Sequence, residues 1–171
     1  MNVTRSVHAL LISVSLLTAA CGPGERTPPG PAATGAEKTI AVDLDRQLLM
    51  AWEGKEMAHW FHVVTGSCAK WTISGTYNIS RKVEDYTSKT YGVEMPYTMF
   101  FSEDGKAIHG TKLATIRSFL HSFVSDDVGS KGCVGLRKGN ARFMFEWAPV
   151  GTPVVILPSE RNPENREFPD D

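Results

Sequence analysis

A cysteine and a histidine stand out as residues that could act together as nucleophile and base. Cys133 lies in the glycine-containing segment 129–135, and His109 lies earlier, between Ile108 and Gly110. An acyl-transfer site needs a thiolate, a base that generates it, and backbone N–H groups directed at the developing oxyanion. Gly132 has no side chain, so its N–H and that of Cys133 can both face a substrate carbonyl. These residues alone leave two interpretations open, a catalytic pair or a small buried cysteine.

The elements that position this pair are predicted to be mainly strands. Short apolar runs are bounded by turn residues, and the polar Asp45-Arg46 between the first two indicates a hairpin. Glu103-Asp104-Gly105-Lys106 indicates a tight turn before a short strand that ends at His109. The predicted strands are Thr39–Leu44, Gln47–Trp52, Met57–Val64, Gly75–Ile79, Val93–Phe101, Ala107–His109 and Val154–Leu157.

Two segments have helical spacing. In Lys112–Phe123 four apolar residues recur on one face, and in Asn140–Ala148 a cap-like Asn140 precedes a second apolar face. Pro and Gly residues follow the second segment and end it before the last predicted strand. The pattern therefore predicts a mainly β domain with short helices.

Composition excludes several classes of function. The 171 residues carry 18 Lys and Arg against 19 Asp and Glu, a net charge of -1, which does not favour nucleic acid as a partner. The cysteines Cys21, Cys68 and Cys133 are too few for a disulfide scaffold and lack the paired spacing of a structural zinc site. His59 and His62 are three residues apart in a predicted strand, so they face opposite sides and make a poor metal pair. We expect no metal and no cofactor.

The N-terminal segment is predicted to be an export signal rather than part of the fold. An uncharged apolar run from Ala9 to Leu17 precedes Thr18-Ala19-Ala20-Cys21, the pattern of a lipoprotein signal whose cysteine becomes the lipid anchor. The alternative is an ordinary cleavable signal peptide that ends at Ala20. Residues 1–20 are thus predicted to be the signal, 21–38 a flexible linker, 39–158 the folded domain and 159–171 a polar tail.

Several segments, taken in order, resemble the catalytic domain of the L,D-transpeptidase (YkuD-type) family. The resemblance covers about residues 39–157. The segments that carry it are Val64-Thr65-Gly66, Thr72-Ile73-Ser74-Gly75-Thr76-Tyr77, Met95-Pro96-Tyr97, Ile108-His109-Gly110-Thr111, Ser130-Lys131-Gly132-Cys133-Val134 and Pro149-Val150-Gly151-Thr152-Pro153-Val154-Val155-Ile156. It implies a β-sandwich or barrel domain in an exported enzyme that acts on peptidoglycan stem peptides.

The resemblance also assigns roles to residues. Cys133 matches the nucleophile and His109 the base, while the carbonyl of Gly110 matches the group that orients the imidazole. The N–H groups of Gly132 and Cys133 match the oxyanion hole. In the family the cysteine attacks the carbonyl before a terminal D-alanine, and the acyl group passes to an amine on another stem. Ser130 and Tyr97 are candidates for the substrate side, although Tyr97 can equally fill the sheet.

Two residues depart from the family pattern. Lys131 replaces the usual motif histidine, and Gly135 stands where a polar residue is usual. An ammonium at position 131 is expected to depress the thiol pKa and to steer a substrate carboxylate. The departures keep two rivals to a transpeptidase open, a non-catalytic peptidoglycan-binding module and an L,D-carboxypeptidase in which water accepts the acyl group.

Two further features stay open at this point. Cys68 is interpreted as a free cysteine, with a disulfide to Cys133 as the alternative in an oxidising compartment. The segment between His109 and Cys133 is longer than usual, and the predicted Lys112–Phe123 helix is the expected insertion. The oligomeric state is left undetermined.

Overall fold

The structure, a computed structural model, describes residues 37–66, 70–112 and 130–159 of the chain. Within these ranges the chain forms nine strands and one helix. The elements are β1 (Lys38–Asp43), β2 (Leu48–Glu53), β3 (Glu56–His62), β4 (Gly75–Asn78), β5 (Arg81–Thr87), β6 (Glu94–Phe100), β7 (Ala107–Gly110), β8 (Val134–Leu136), α1 (Lys138–Trp147) and β9 (Pro153–Ile156). The predicted mainly β fold is confirmed.

The first sheet has the strand order β3-β2-β1-β9-β4 in the described part of the chain. β1 and β2 pair in antiparallel fashion and form the predicted hairpin. In its turn the N–H of Arg46 donates a hydrogen bond to Oδ1 of Asp43 over 2.8 Å, and Gln47 adopts a φ of 53°. β9 lies parallel to β1, so the last described strand closes back onto the first.

The second sheet has the order β5-β6-β7-β8 among the described residues. β7 and β8 run parallel, which places the residues around His109 beside those that follow Cys133. Sequence reasoning missed β5 and β8. β5 is rich in charged residues because it lies at the sheet edge, and β8 is only three residues long.

The two faces of the second sheet have different surroundings. One face joins the main core, where Met99, Ile108 and Val134 pack with residues of α1. The opposite face carries a smaller cluster of Met95, Phe100 and Ala107, and Cys133 packs against it. The face turned away from the main core therefore holds the cysteine.

The helix α1 packs against β6 and β7 through its buried residues Ala141 and Met144. Its C-terminal end is fixed by Lys82 of β5, whose Nζ donates to the carbonyl of Ala148 over 2.8 Å. The predicted cap at Asn140 is wrong, because the helix begins at Lys138 and Arg137 is the N-cap, without a side-chain hydrogen bond.

Several predictions lie outside the described residues. These are the signal and Cys21, most of the linker, Cys68, the Lys112–Phe123 helix from residue 113 onward, and the tail from residue 160. In the described ranges, no helix has both the length and the hydrophobicity that crossing a bilayer requires.

Candidate active site

Cys133 and His109 lie on the same face of the second sheet. His109 stands opposite Gly135 in the parallel pairing of β7 with β8. Side chains two residues apart along a strand point to the same side, so Cys133 shares the side of Gly135 and His109. Ala107, two residues before His109, packs in the same cluster as Cys133. The fold thus brings the predicted nucleophile and base to one face.

The imidazole of His109 is buried and held by its own strand. Only 8% of the residue surface is exposed, and Nδ1 lies 2.9 Å from the carbonyl oxygen of Gly110. A carbonyl oxygen only accepts, so Nδ1 carries the proton and Nε2 keeps its lone pair. Burial lowers the pKa of His109, against a smaller opposing effect of the hydrogen bond to Gly110. His109 is therefore a neutral imidazole near pH 7, with Nε2 available as a base.

The Cys133 thiol is free and partly exposed. Burial raises its pKa and is the largest influence, while a hydrogen bond with the backbone of Ala107 lowers the pKa. Two charges act in addition, since the Asp104 carboxylate raises the thiol pKa and the Lys106 ammonium lowers it. Burial of both groups thus favours a protonated thiol and a neutral imidazole over a charged pair.

Lys106 and Asp104 form an ion pair beside the cysteine. Nζ of Lys106 lies 2.8 Å from Oδ2 of Asp104. The hydrogen bond from Lys106 is the main reason that the pKa of Asp104 lies below its ordinary value. The aliphatic part of Lys106 borders the residue before Cys133, because a Cβ on Gly132 would stand 2.8 Å from Cε of Lys106. The pair thus places a cation and an anion next to the thiol.

The segment 130–133 is held by hydrogen bonds to its carbonyl groups. The hydroxyl of Ser130 donates to the carbonyl of Cys133, and the hydroxyl of Thr72 donates to the carbonyl of Gly132 over 3.1 Å. Thr72 is itself fixed, because its Oγ1 accepts the N–H of Gly66 at 2.9 Å. In a trans peptide the carbonyl and the following N–H point in opposite directions. The N–H of Cys133 therefore points away from Thr72.

Gly132 is required by its backbone conformation and by space. Its φ is +92°, in the region that favours glycine. A Cβ would also stand 2.8 Å from Cε of Lys106 and 3.1 Å from the carbonyl oxygen of Trp71. Both observations support the use of this glycine in the tight turn before the nucleophile.

Lys131 is exposed and turned towards an aromatic ring. Its Nζ lies 4.6 Å from the ring centre of Tyr91. Among the charged groups that shift the pKa of Cys133, the cation is Lys106, and the expected effect of Lys131 on the thiol stays a prediction.

Tyr97 lies on the other side of the second sheet from Cys133. It occupies an irregular position of β6 with a φ of 56°, and its ring contacts Phe145 of α1 with 5.9 Å between ring centres. It packs against the main core, whereas Cys133 packs against the smaller cluster. These contacts support the alternative in which Tyr97 fills the sheet.

Gly135 has no room for a side chain. A Cβ at this position would stand 2.6 Å from Cγ2 of Thr111. Thr111 directly follows the His109-Gly110 pair, and its side chain occupies the space that a polar residue at position 135 would enter. A side chain at position 135 would therefore collide with Thr111, which is consistent with glycine at this position.

The remaining histidine pair contacts aromatic rings. His59 lies 4.6 Å from the ring of Phe143 and His62 lies 5.4 Å from the ring of Trp60, measured between ring centres. Over residues 37–66, 70–112 and 130–159, no group of three His, Cys, Asp or Glu side chains is arranged to hold a metal ion.

Sequence reasoning missed three residues that shape the site. Thr72 stands in a segment quoted for the family resemblance, but nothing in the sequence says which carbonyl its hydroxyl binds. Asp104 and Lys106 were interpreted only as turn residues before β7. Their position directly before the strand of the predicted base was the signal that could have suggested a role.

Comparisons with known proteins concern the family and the fold. The family model of the L,D-transpeptidase catalytic domain (YkuD) matches residues 37–156. An L,D-transpeptidase structure from Stackebrandtia nassauensis is 28% identical with a TM-score of 0.62, and the match covers 71% of this chain and 56% of that one. No curated protein shows significant sequence similarity to the chain.

More distant structures share the fold. An Enterococcus faecium L,D-transpeptidase is 21% identical with a TM-score of 0.60, over 71% of this chain and 50% of that one. An L,D-transpeptidase from Mycobacterium tuberculosis, in complex with a faropenem-derived adduct, is 14% identical with a TM-score of 0.59, over 71% of this chain and 60% of that one. The chain thus spans between about half and three fifths of the length of these structures.

Proposed function

Because the chain belongs to the L,D-transpeptidase catalytic domain family, we propose that it is a peptidoglycan L,D-transpeptidase that forms an acyl-enzyme on Cys133. The observation that carries the proposal is the placement of Cys133 and His109 on one face of the second sheet, with Nδ1 of His109 held by the carbonyl of Gly110. That hydrogen bond leaves Nε2 free to take a proton.

Acylation begins with transfer of the Cys133 proton to Nε2 of His109. The thiolate attacks the carbonyl carbon before the terminal D-alanine of a stem peptide, and a C–S bond forms. When the tetrahedral intermediate collapses, the C–N bond breaks and D-alanine leaves as an amine that takes the proton from His109. Because burial favours the neutral thiol and the neutral imidazole, this proton transfer is needed before the sulfur can attack.

The developing oxyanion needs donors on the side of the cysteine. The N–H of Cys133 points away from Thr72, because the carbonyl of Gly132 is bound on that side. The left-handed conformation of Gly132 allows its own N–H to turn towards the same region. Two backbone donors held in advance stabilise charge in the transition state without reorganising.

The second half of the reaction transfers the acyl group. An acceptor amine attacks the thioester carbon, His109 takes a proton from that amine, and the C–S bond breaks to release a thiolate that is then reprotonated. Water in place of the amine turns the enzyme into an L,D-carboxypeptidase with the same intermediate. A non-catalytic binding module remains the rival that the departures at Lys131 and Gly135 favour.

The proposal includes the location of the enzyme. Cys21 is proposed as a lipid anchor and residues 22–38 as the linker that holds the domain near the membrane, facing the periplasm or cell wall. Apart from Glu37 and Lys38, where the described chain and β1 begin, the residues that carry this part of the proposal lie outside the described ranges. Membrane fractionation of wild type against Cys21→Ser tests it, and a wild-type protein without lipid at its N-terminus contradicts it.

Product analysis tests the enzymatic proposal. The full chain is incubated with disaccharide tetrapeptide stems, and the products are identified by mass spectrometry. A cross-linked dimer that has lost one D-alanine is expected, whereas a tripeptide stem alone identifies a carboxypeptidase. Cys133→Ala is expected to abolish both products, and His109→Ala to slow them by about 10²- to 10⁴-fold. Bound but unaltered stems would identify a binding module.

A further inference from the structure

We propose that Lys70, Tyr91 and Lys131, called here the lysine–tyrosine cluster, form a binding subsite for a carboxylate of the stem peptide. The inference rests on the proposed function, because it names how that substrate is held beside Cys133. It assigns a role to a residue that departs from the family pattern, Lys131, and to two residues that the reaction itself does not use.

Both lysine side chains of the cluster are held by one tyrosine. Nζ of Lys70 donates to the hydroxyl of Tyr91 over 3.0 Å and lies 5.7 Å from its ring centre. Nζ of Lys131 lies 4.6 Å from the centre of the same ring. A cation is attracted to the electron-rich face of an aromatic ring. Tyr91 therefore binds the Lys131 ammonium through its ring and the Lys70 ammonium through its hydroxyl.

Three segments of the chain converge to build the cluster. Lys131 directly precedes Gly132 and Cys133. Lys70 lies two residues before Thr72, whose hydroxyl binds the carbonyl of Gly132. Tyr91 comes from the turn between β5 and β6, where its N–H donates to the hydroxyl of Ser88 over 3.3 Å. The hydrogen bonds that hold the cysteine segment thus also hold the cluster next to it.

The charge of the cluster is not neutralised within the described part of the chain. Neither lysine belongs to the ion pairs Lys38–Glu53, Arg46–Asp43, Lys106–Asp104 or Arg142–Glu146. In the described part of the chain the ammonium groups of Lys70 and Lys131 both lie against Tyr91, which is 42% exposed. Two accessible ammonium groups that both contact Tyr91 suit an anion with two oxygens, and a carboxylate is such an anion.

The substrate offers such a group at a suitable place. The D-alanine that leaves carries a carboxylate one residue beyond the reacting carbonyl, and successive Cα atoms of a peptide are about 3.8 Å apart. A side-chain carboxylate next to the acyl carbonyl lies at a similar distance from the reacting carbonyl carbon. In both cases the cluster would bind a carboxylate within about one residue of the scissile bond. Substrates in which one or the other carboxylate is amidated show which of the two is bound.

The experiment compares charged and amidated stem peptides on the full chain. Lys70→Met, Lys131→Met and the double variant are assayed with a free-acid stem, a stem with a C-terminal amide and a stem with an amidated side-chain carboxylate. The KM for the free-acid stem is expected to rise about tenfold per lysine removed, with kcat changing less than about threefold. Arginine at either position is expected to restore most of the affinity, and Lys55→Met serves as the control at an exposed turn.

If the cluster binds a given carboxylate, the lysine variants should no longer raise the KM for the stem in which that carboxylate is amidated. The stem for which the effect disappears therefore identifies the carboxylate that is bound. Equal effects of the variants on free-acid and amidated stems, or no effect, would overturn the subsite. Affinities measured by calorimetry on the Cys133→Ala protein report on the subsite even without turnover. A wild-type chain that binds with the predicted charge dependence but forms no product contradicts the proposed function and leaves the subsite standing.

Discussion

The hydroxyl of Thr72 donates a hydrogen bond to the carbonyl of Gly132 over 3.1 Å, although the two residues are 60 positions apart in the chain. Thr72 is 1% exposed, and its Oγ1 also accepts the N–H of Gly66 at 2.9 Å. One buried hydroxyl thus orients the peptide that precedes the nucleophile and satisfies a second backbone group. The orientation of the Cys133 N–H depends on this contact.

Thr72→Val is therefore expected to destabilise the protein and to slow acylation. The variant keeps the shape of the side chain but leaves the buried carbonyl of Gly132 and the partly buried N–H of Gly66 without this partner, and the loss at a buried group costs about 1–3 kcal/mol. Urea unfolding measures the stability, and the rate of adduct formation with a carbapenem measures the acylation. Thr72→Ser keeps the hydroxyl and is the matched control. Equal acylation rates for all three proteins would argue against this positioning role.

The two members of the Lys106–Asp104 ion pair are expected to shift the pKa of the Cys133 thiol in opposite directions. Lys106→Met removes a cation and should raise the pKa of Cys133 further, whereas Asp104→Asn removes an anion and should lower it. The pH dependence of alkylation gives the thiol pKa, with Cys68→Ser in the background so that only one domain thiol reports. Lys131→Met is the control, and a larger shift for it than for Lys106→Met would refute the assignment.

The burial of His109 predicts a pH dependence of stability. The pKa of His109 is lower in the folded protein than in the unfolded chain, where it is about 6.5. The unfolded chain therefore binds more protons as the pH falls through about 6.5, and the free energy of unfolding decreases in that range. His109→Gln should remove this component. Urea unfolding at several pH values between about 5 and 8 measures both proteins, and identical slopes for the two would contradict the prediction.

The contact between position 135 and Thr111 predicts a pair of coupled substitutions. Gly135→Ala places a methyl group 2.6 Å from Cγ2 of Thr111 and should destabilise the protein by about 1–3 kcal/mol. Thr111→Ser removes that methyl and keeps the hydroxyl. The double variant should regain most of the lost stability in urea unfolding, which a double-mutant cycle quantifies. Additive effects of the two substitutions would mean that they do not collide.

Local patterns in the sequence were sufficient to predict much of the fold. The hairpin of β1 and β2, β6, β7 and β9 have apolar runs with clear turn signals, and α1 has an apolar face. β5 could not be predicted from the sequence, because a charged edge strand lacks the apolar pattern of a core strand. The cap at Asn140 was wrong because the start of α1 is set by the chain leaving β8, two residues before the polar side chain appears.

Some residues of the candidate site could likewise be predicted from the sequence, and others could not. The residues that carry motifs, Cys133, His109 and Gly132, could be named from the sequence, and the structure brings Cys133 and His109 to one face. The partners of those residues could not be predicted, because Thr72 and Lys106 reach the cysteine segment only through the folded sheet. For Lys131, adjacency in sequence predicts an effect on the thiol that stays a prediction, whereas the contact of its ammonium with Tyr91 could not be predicted from the sequence.

The most direct test of the central claim is the intact mass of the protein after incubation with a carbapenem. Opening of the β-lactam ring by a thiolate releases no fragment, so the mass should increase by that of one whole carbapenem molecule. The adduct is predicted for wild type and for Cys68→Ser, and it is predicted to be absent from Cys133→Ser. An unmodified wild-type protein, or an adduct that persists in Cys133→Ser, would contradict the assignment of Cys133 as the nucleophile.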